Sequence, residues 1–68
     1  MRNPERIDEF CEELKKLWRQ VPDWRFGQLM SNALSEVYAK RNRDIFFIED
    51  DEMLDDLKEI FETKYKVY

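Results

Sequence analysis

The residues best suited to chemistry are the acids Glu49-Asp50-Asp51-Glu52, followed closely by Asp55 and Asp56. Asp51 and Asp55, like Glu52 and Asp56, stand four apart, a spacing that sets two carboxylates on one helical face toward a divalent cation. An EF-hand needs alternating oxygen ligands around a loop glycine, and this stretch has neither. The run therefore reads as helix capping plus a solvated face, with negative charge available to a docking partner. No metal is expected. Nucleophilic chemistry has still less to build on: Cys11, Ser31 and Ser35 have no histidine to activate them, because the chain contains none. Gly27 is the single glycine, which leaves no phosphate-cradling loop of the Walker or dinucleotide type. No catalytic residue and no cofactor are expected, so the chain reads as a non-enzyme.

Size and composition narrow the setting. Sixty-eight residues make one expected domain, 1–68, and a chain this short buries only about 60% of its unfolded surface. Five Phe, three Tyr and two Trp compensate with large apolar side chains. One cysteine excludes an internal disulfide, whereas small secreted domains are normally stapled by several. No apolar run approaches a membrane span, and residues 1–5 lack the hydrophobic region of a signal peptide. A cytoplasmic protein without membrane contact is expected. Net charge is −4, unevenly spread: nine acids face Lys58 alone between Asp44 and Glu62, while seven bases face Asp23 and Glu36 between Lys15 and Arg43. A direct nucleic-acid binder would show a basic excess, so none is expected.

The elements that position these residues are helical. Asn3 and Pro4 suit a helix start, and Ile7, Phe10, Cys11, Leu14, Leu17, Trp18 and Val21 recur at helical spacing. Pro22 is expected to end this first helix, and Cys11 to be a small core residue. Asp23 is expected to cap a second helix whose buried stripe is Phe26, Leu29, Met30, Ala33, Leu34, Val37 and Tyr38. The brief connection Val21–Asp23 makes the two helices antiparallel neighbours. Asp50 or Asp51 caps a third helix with the stripe Met53, Leu54, Leu57, Ile60, Phe61 and Tyr65, and the tail Lys66-Val67-Tyr68 frays. Phe10, Leu34 and Leu57 should share one interior. The fold class is thus all-α, a compact three-helix bundle with an extended apolar segment, Ile45-Phe46-Phe47-Ile48, between helices two and three.

That segment breaks the helical rhythm. Either it lies across the helices with alternate side chains buried, or it pairs with a second copy as a homodimer through its edge. A monomer with intrachain packing is favoured, which makes Phe47→Asp destabilising. Gly27 inside a helix costs about 1 kcal/mol against alanine, so a close helix crossing or a ring such as Trp18 or Phe47 over its backbone is expected.

Arg2-Asn3-Pro4-Glu5-Arg6-Ile7, Trp18, Pro22-Asp23-Trp24-Arg25-Phe26-Gly27-Gln28-Leu29-Met30-Ser31-Asn32 and Asp44-Ile45-Phe46-Phe47-Ile48-Glu49-Asp50-Asp51-Glu52 together span nearly the whole chain. In this combination the sequence resembles a set of short uncharacterised proteins of bacteria and their prophages. The resemblance implies a cytoplasmic accessory protein, phage- or host-encoded. It draws attention to Arg25, Gly27, Gln28, Asn32, Glu49 and Asp50 as positions matching the shared pattern, and to Trp24, Phe26 and Met30 as packing positions. Arg25, Gln28 and Asn32 also share a polar helical flank by spacing alone.

The resulting expectation is a non-enzymatic module that binds another protein. Its partner-binding residues are Arg25, Gln28 and Asn32 on the second helix, with Glu49, Asp50, Asp51 and Glu52 at the start of the third. The alternative is an acidic phage-type inhibitor that mimics nucleic acid with residues 44–62.

Overall fold

Apolar residues at three- and four-residue steps become three helices in the computed structural model, which describes residues 2–65: α1 (Glu5–Trp18), α2 (Phe26–Arg41) and α3 (Asp50–Thr63). Among the described residues there is no β-strand. The chain is an all-α three-helix bundle. The tail Lys66-Val67-Tyr68 lies outside the described residues.

Local chemistry sets the helix ends, not always where spacing suggested. Asn3 does cap α1, its Oδ1 accepting the Glu5 amide at 2.9 Å. At the other end α1 stops at Trp18, short of Pro22. Residues 19–25 continue as tight turns, with the Val21 amide donating to the Trp18 carbonyl and the Trp24 amide to the Val21 carbonyl. Trp18 Nε1 donates to the Trp24 carbonyl at 2.8 Å, closing this connection over itself. Asp23 does not cap α2. The cap position falls to Arg25, whose amide donates to Gln28 Oε1 at 2.8 Å. Arginine has no acceptor to offer in return, so only this half of a capping box forms. Likewise Glu49, rather than Asp50 or Asp51, occupies the cap of α3.

Ion pairs reveal the helix directions. Glu36, Lys40 and Arg41 meet Lys64, Glu59 and Glu52, in reverse order, so α2 and α3 are antiparallel. Arg2, Arg6 and Glu13 meet Glu49, Asp50 and Lys58 in the same order, so α1 and α3 run parallel. Helix α3 packs on both others. α1 and α2 are antiparallel as expected, but they are not the close neighbours their connection predicted. The linker spans 19–25, longer than expected, and that length lets α3 become the central helix.

The core follows from this order. Leu57, Ile60 and Phe61 of α3 are buried against Leu29, Ala33 and Val37 of α2, Leu17 of α1 and Ile48. Trp24, Phe61 and Tyr65 meet edge to face or tilted, with centroids 5.0–6.4 Å apart, which seals the end where α2 begins and α3 finishes. With α3 as its main neighbour, α1 buries a narrower stripe than its spacing implied: Cys11 is exposed and Ile7 half-exposed, not core. Phe10 packs against the same interior as Leu57, but Leu34 is only partly buried and is not part of it.

Gly27 is exposed, with open space around the position a Cβ would take. No helix or ring lies over it, contrary to expectation, and its φ is not positive. The glycine thus carries its entropic cost without a steric reason. Gly27→Ala is expected to raise stability by about 0.5–1 kcal/mol in urea unfolding; a loss of stability would show that the backbone there needs glycine.

Candidate interaction surface

The corner between α2 and α3 is built by short-range polar contacts. Asn42 ends α2 in the left-handed conformation (φ 52°, ψ 43°), one that asparagine tolerates, and its amide donates to the Tyr38 carbonyl at 2.7 Å. Asp44 then caps a single 3₁₀ turn, Ile45–Phe47, by accepting the Phe46 amide on Oδ1 at 2.9 Å. Arg43 donates to the Phe47 carbonyl at 3.0 Å, tying the far side of the turn. The segment is therefore coiled rather than extended. A 3₁₀ turn brings residues three apart onto one side, so Ile45 and Ile48 point inward while the two phenylalanines between them face water. Phe46 is 82% exposed and Phe47 63%. Their rings sit edge to face with centroids 5.0 Å apart. Beside them a shallow hollow of about 340 Å3 is lined by Leu34, Ser35, Tyr38 and Ile45.

An ion network holds this corner. Asp56 of α3 is only 2% exposed, and a buried carboxylate needs full pairing. Arg41 grips it with two nitrogens, Nε to Oδ2 and a terminal nitrogen to Oδ1. Lys40 Nζ donates to the same Oδ1 at 2.9 Å. Arg41 also reaches Glu52 at 2.9 Å, and Lys40 reaches Glu59 at 2.7 Å. The hydrogen bonds from Arg41, and more weakly the Lys40 contact, hold the Asp56 carboxyl below its ordinary 3.8 despite opposition from burial. Glu59, then Asp56, pushes the Lys40 ammonium up.

No protein-family model matches the chain, and no curated protein or solved structure matches it. Function is therefore argued from this chain's own surface.

The residues singled out from sequence do not form one site. Arg25, Gln28 and Asn32 are exposed at the start of α2, beside the closing rings of α3. Glu49, Asp50, Asp51 and Glu52 lie at the opposite end, roughly 20 Å away along a sixteen-residue helix. Several of these acids already have partners: Glu49 pairs with Arg2, Asp50 with Arg6 and Glu52 with Arg41. Asp51 is exposed and accepts the Glu52 amide. Among the described residues no group of three or more His, Cys, Asp or Glu is arranged to hold a metal ion, and no helix is long and apolar enough to cross a membrane.

Sequence reasoning missed Asp56, Lys40 and Arg41 as a unit. The signal was present: Glu52, Asp56 and Glu59 follow a four-three spacing on one face, and Lys40-Arg41 is the densest positive charge near the preceding helix end. Sequence reasoning also expected an extended segment with alternate side chains buried and Phe47 in the interior, whereas both phenylalanines are exposed.

Two measurements check this geometry. Asp56→Asn is expected to cost about 2–4 kcal/mol, since it leaves Arg41 partly shielded without its carboxylate. Because the folded Asp56 has the lowered value, its contribution is present above the unfolded pKa and is lost as pH falls below about 3.8. The gap between wild type and Asp56→Asn in chemical unfolding should therefore be widest near neutrality and close in acid; a gap independent of pH contradicts the pairing. Phe47→Asp should leave stability within about 0.5 kcal/mol, as exposed positions do, and a larger loss would return Phe47 to the interior.

Proposed function

We propose that this chain is a non-enzymatic protein-interaction module that works in the cytoplasm and docks its partner through the α2–α3 corner. The observation that carries this reading is the outward presentation of Phe46 and Phe47 on a turn fixed from both sides. Exposing two adjacent phenyl rings to water is unfavourable, and covering them on binding recovers much of that free energy. Rigid aromatic groups beside a hollow also lose little conformational entropy when they dock. The resemblance to bacterial and prophage accessory proteins accords with a role exerted through a partner.

The reading keeps the expected class of function but moves its centre. Arg25, Gln28 and Asn32 remain a solvated flank at the far end. The acids at the start of α3 serve first to anchor α1 and α2, and Asp51 lies on the α1 side, near Arg6, Glu9 and Phe10. Mimicry of nucleic acid draws less support, because Glu49, Asp50, Glu52, Asp56 and Glu59 all have cationic partners within the chain.

The test compares proteins captured from native cell extract by the immobilised chain and by its Phe46→Ser/Phe47→Ser variant. Capture of a specific protein by the wild type, retained from about 0.15 M to about 1 M salt and lost in the variant, is expected. Capture that survives the double substitution, or that vanishes with salt alone, overturns the reading.

A further inference from the structure

We infer that the first part of α1 is a latch: residues 5–14 leave α3 and unwind as one unit, pivoting on Leu17 and Trp18, while α2 and α3 stay clamped. The hold on α1 is uneven. Leu17, near its end, is the residue of α1 that is buried. Trp18 beside it is tied by its indole to the Trp24 carbonyl, and its ring meets Phe26 with centroids 5.8 Å apart. Ahead of them Phe10 and Leu14 are only partly buried, and residues 2–9 are all exposed. The ion pairs Arg2–Glu49, Arg6–Asp50 and Glu13–Lys58 supply much of the remaining attachment. Their side chains are 33–58% exposed, and pairs in that setting are screened and individually weak. By contrast, α2 and α3 meet through Leu29, Ala33, Val37, Leu57 and the buried Asp56.

Charge loosens the same contact. Because α1 and α3 run parallel, their positive dipole ends lie side by side instead of each meeting a negative end. α1 carries five acids against three bases, and α3 seven against one. Lys40 and Arg41 neutralise Glu52, Asp56 and Glu59 on the α2 side, which does nothing for the α1 side. There Glu9 and Asp51, neither in an ion pair among the described residues, line one hollow with Phe10 and Leu54. A free helical segment this short is not stable in water, so detachment and unwinding are a single event. Opening uncovers the apolar seam of Phe10 and Leu54 and leaves the corner of Phe46 and Phe47 intact. The inference is therefore independent of the docking reading above.

Native-state hydrogen exchange of the intact chain in low urea tests the inference. The amides of Glu9–Leu14 should share one opening, with protection roughly 30-fold or more below that of Leu29, Val37 and Leu57. Its urea dependence should be shallower than that of global unfolding, since less surface is exposed. Lys40→Gln weakens the clamp in the closed and open states alike. It should lower the protection of Leu29, Val37 and Leu57 about 5-fold and leave Glu9–Leu14 unchanged. Arg6→Gln removes a contact of the closed state alone, so both sets should fall by the same factor, about 2- to 5-fold. Equal protection and equal urea slopes throughout the chain would mean one global opening and overturn the latch. Protection that climbs residue by residue from Glu9 without urea dependence is end fraying, and overturns it too. So does a Lys40→Gln variant that lowers both sets equally, or an Arg6→Gln variant that leaves Glu9–Leu14 unchanged.

Discussion

A carboxylate buried between two helices organises this protein. Asp56 sits almost out of water on α3, and a charge in that position is tolerable only with complete pairing. Arg41 supplies a two-pronged grip and Lys40 a third bond, both from the last turn of α2. Bases gather at that helix end because the dipole is negative there, and acids gather at the start of α3 because it is positive there. When the chain reverses between the two helices, these ends come side by side. What began as local helix chemistry becomes the tertiary clamp. An ion pair of this kind adds modest net stability compared with an apolar pair, but it tolerates very few alternative arrangements.

The display of Phe46 and Phe47 is a consequence of that clamp. With α2 and α3 held together, the eight residues 42–49 have to reverse direction within a tight corner. Asn42 takes the left-handed conformation, Asp44 caps the turn, and Ile45 and Ile48 anchor it in the core. Four apolar residues then compete for inward positions on a turn that has only two. The phenylalanines lose, being the pair between the anchors. Their exposure is therefore imposed by the backbone and is not a packing defect that a rotamer change relieves. At the opposite end, the rings of Trp24, Phe61 and Tyr65 close the bundle. The two ends of the molecule differ in kind: one is sealed by aromatic packing, the other pinned by charge and left with aromatic side chains in solvent.

The helices themselves were legible because each carries several apolar residues in register. Leu29, Ala33 and Val37, and Leu57, Ile60 and Phe61, are where the spacing put them. Boundaries and partners were less legible, since they depend on contacts distant in sequence. Pro22 looked like the stop of α1, yet the Trp18 indole bonded to the Trp24 carbonyl sets that connection. Asp23 looked like a cap, but Gln28 folding back to Arg25 does the work. Ile45–Ile48 fits strand and 3₁₀ patterns equally, and only the Asp44 cap distinguishes them. Asp56 stood among acids that do face water, so its burial was invisible until Arg41 was placed opposite. Glu49–Glu52 and Arg25, Gln28 and Asn32 were grouped as one surface, which the antiparallel course of α2 and α3 separates.

A double-mutant cycle on Arg41 and Asp56 tests the central claim most directly. Arg41→Met, Asp56→Leu and the combined variant would be unfolded in urea at neutral pH. Each single substitution should strand the other charge, while the combined variant recovers part of the loss, giving a coupling on the order of 2 kcal/mol. Losses that simply add, within about 0.5 kcal/mol, would mean that the two side chains do not clamp α2 to α3.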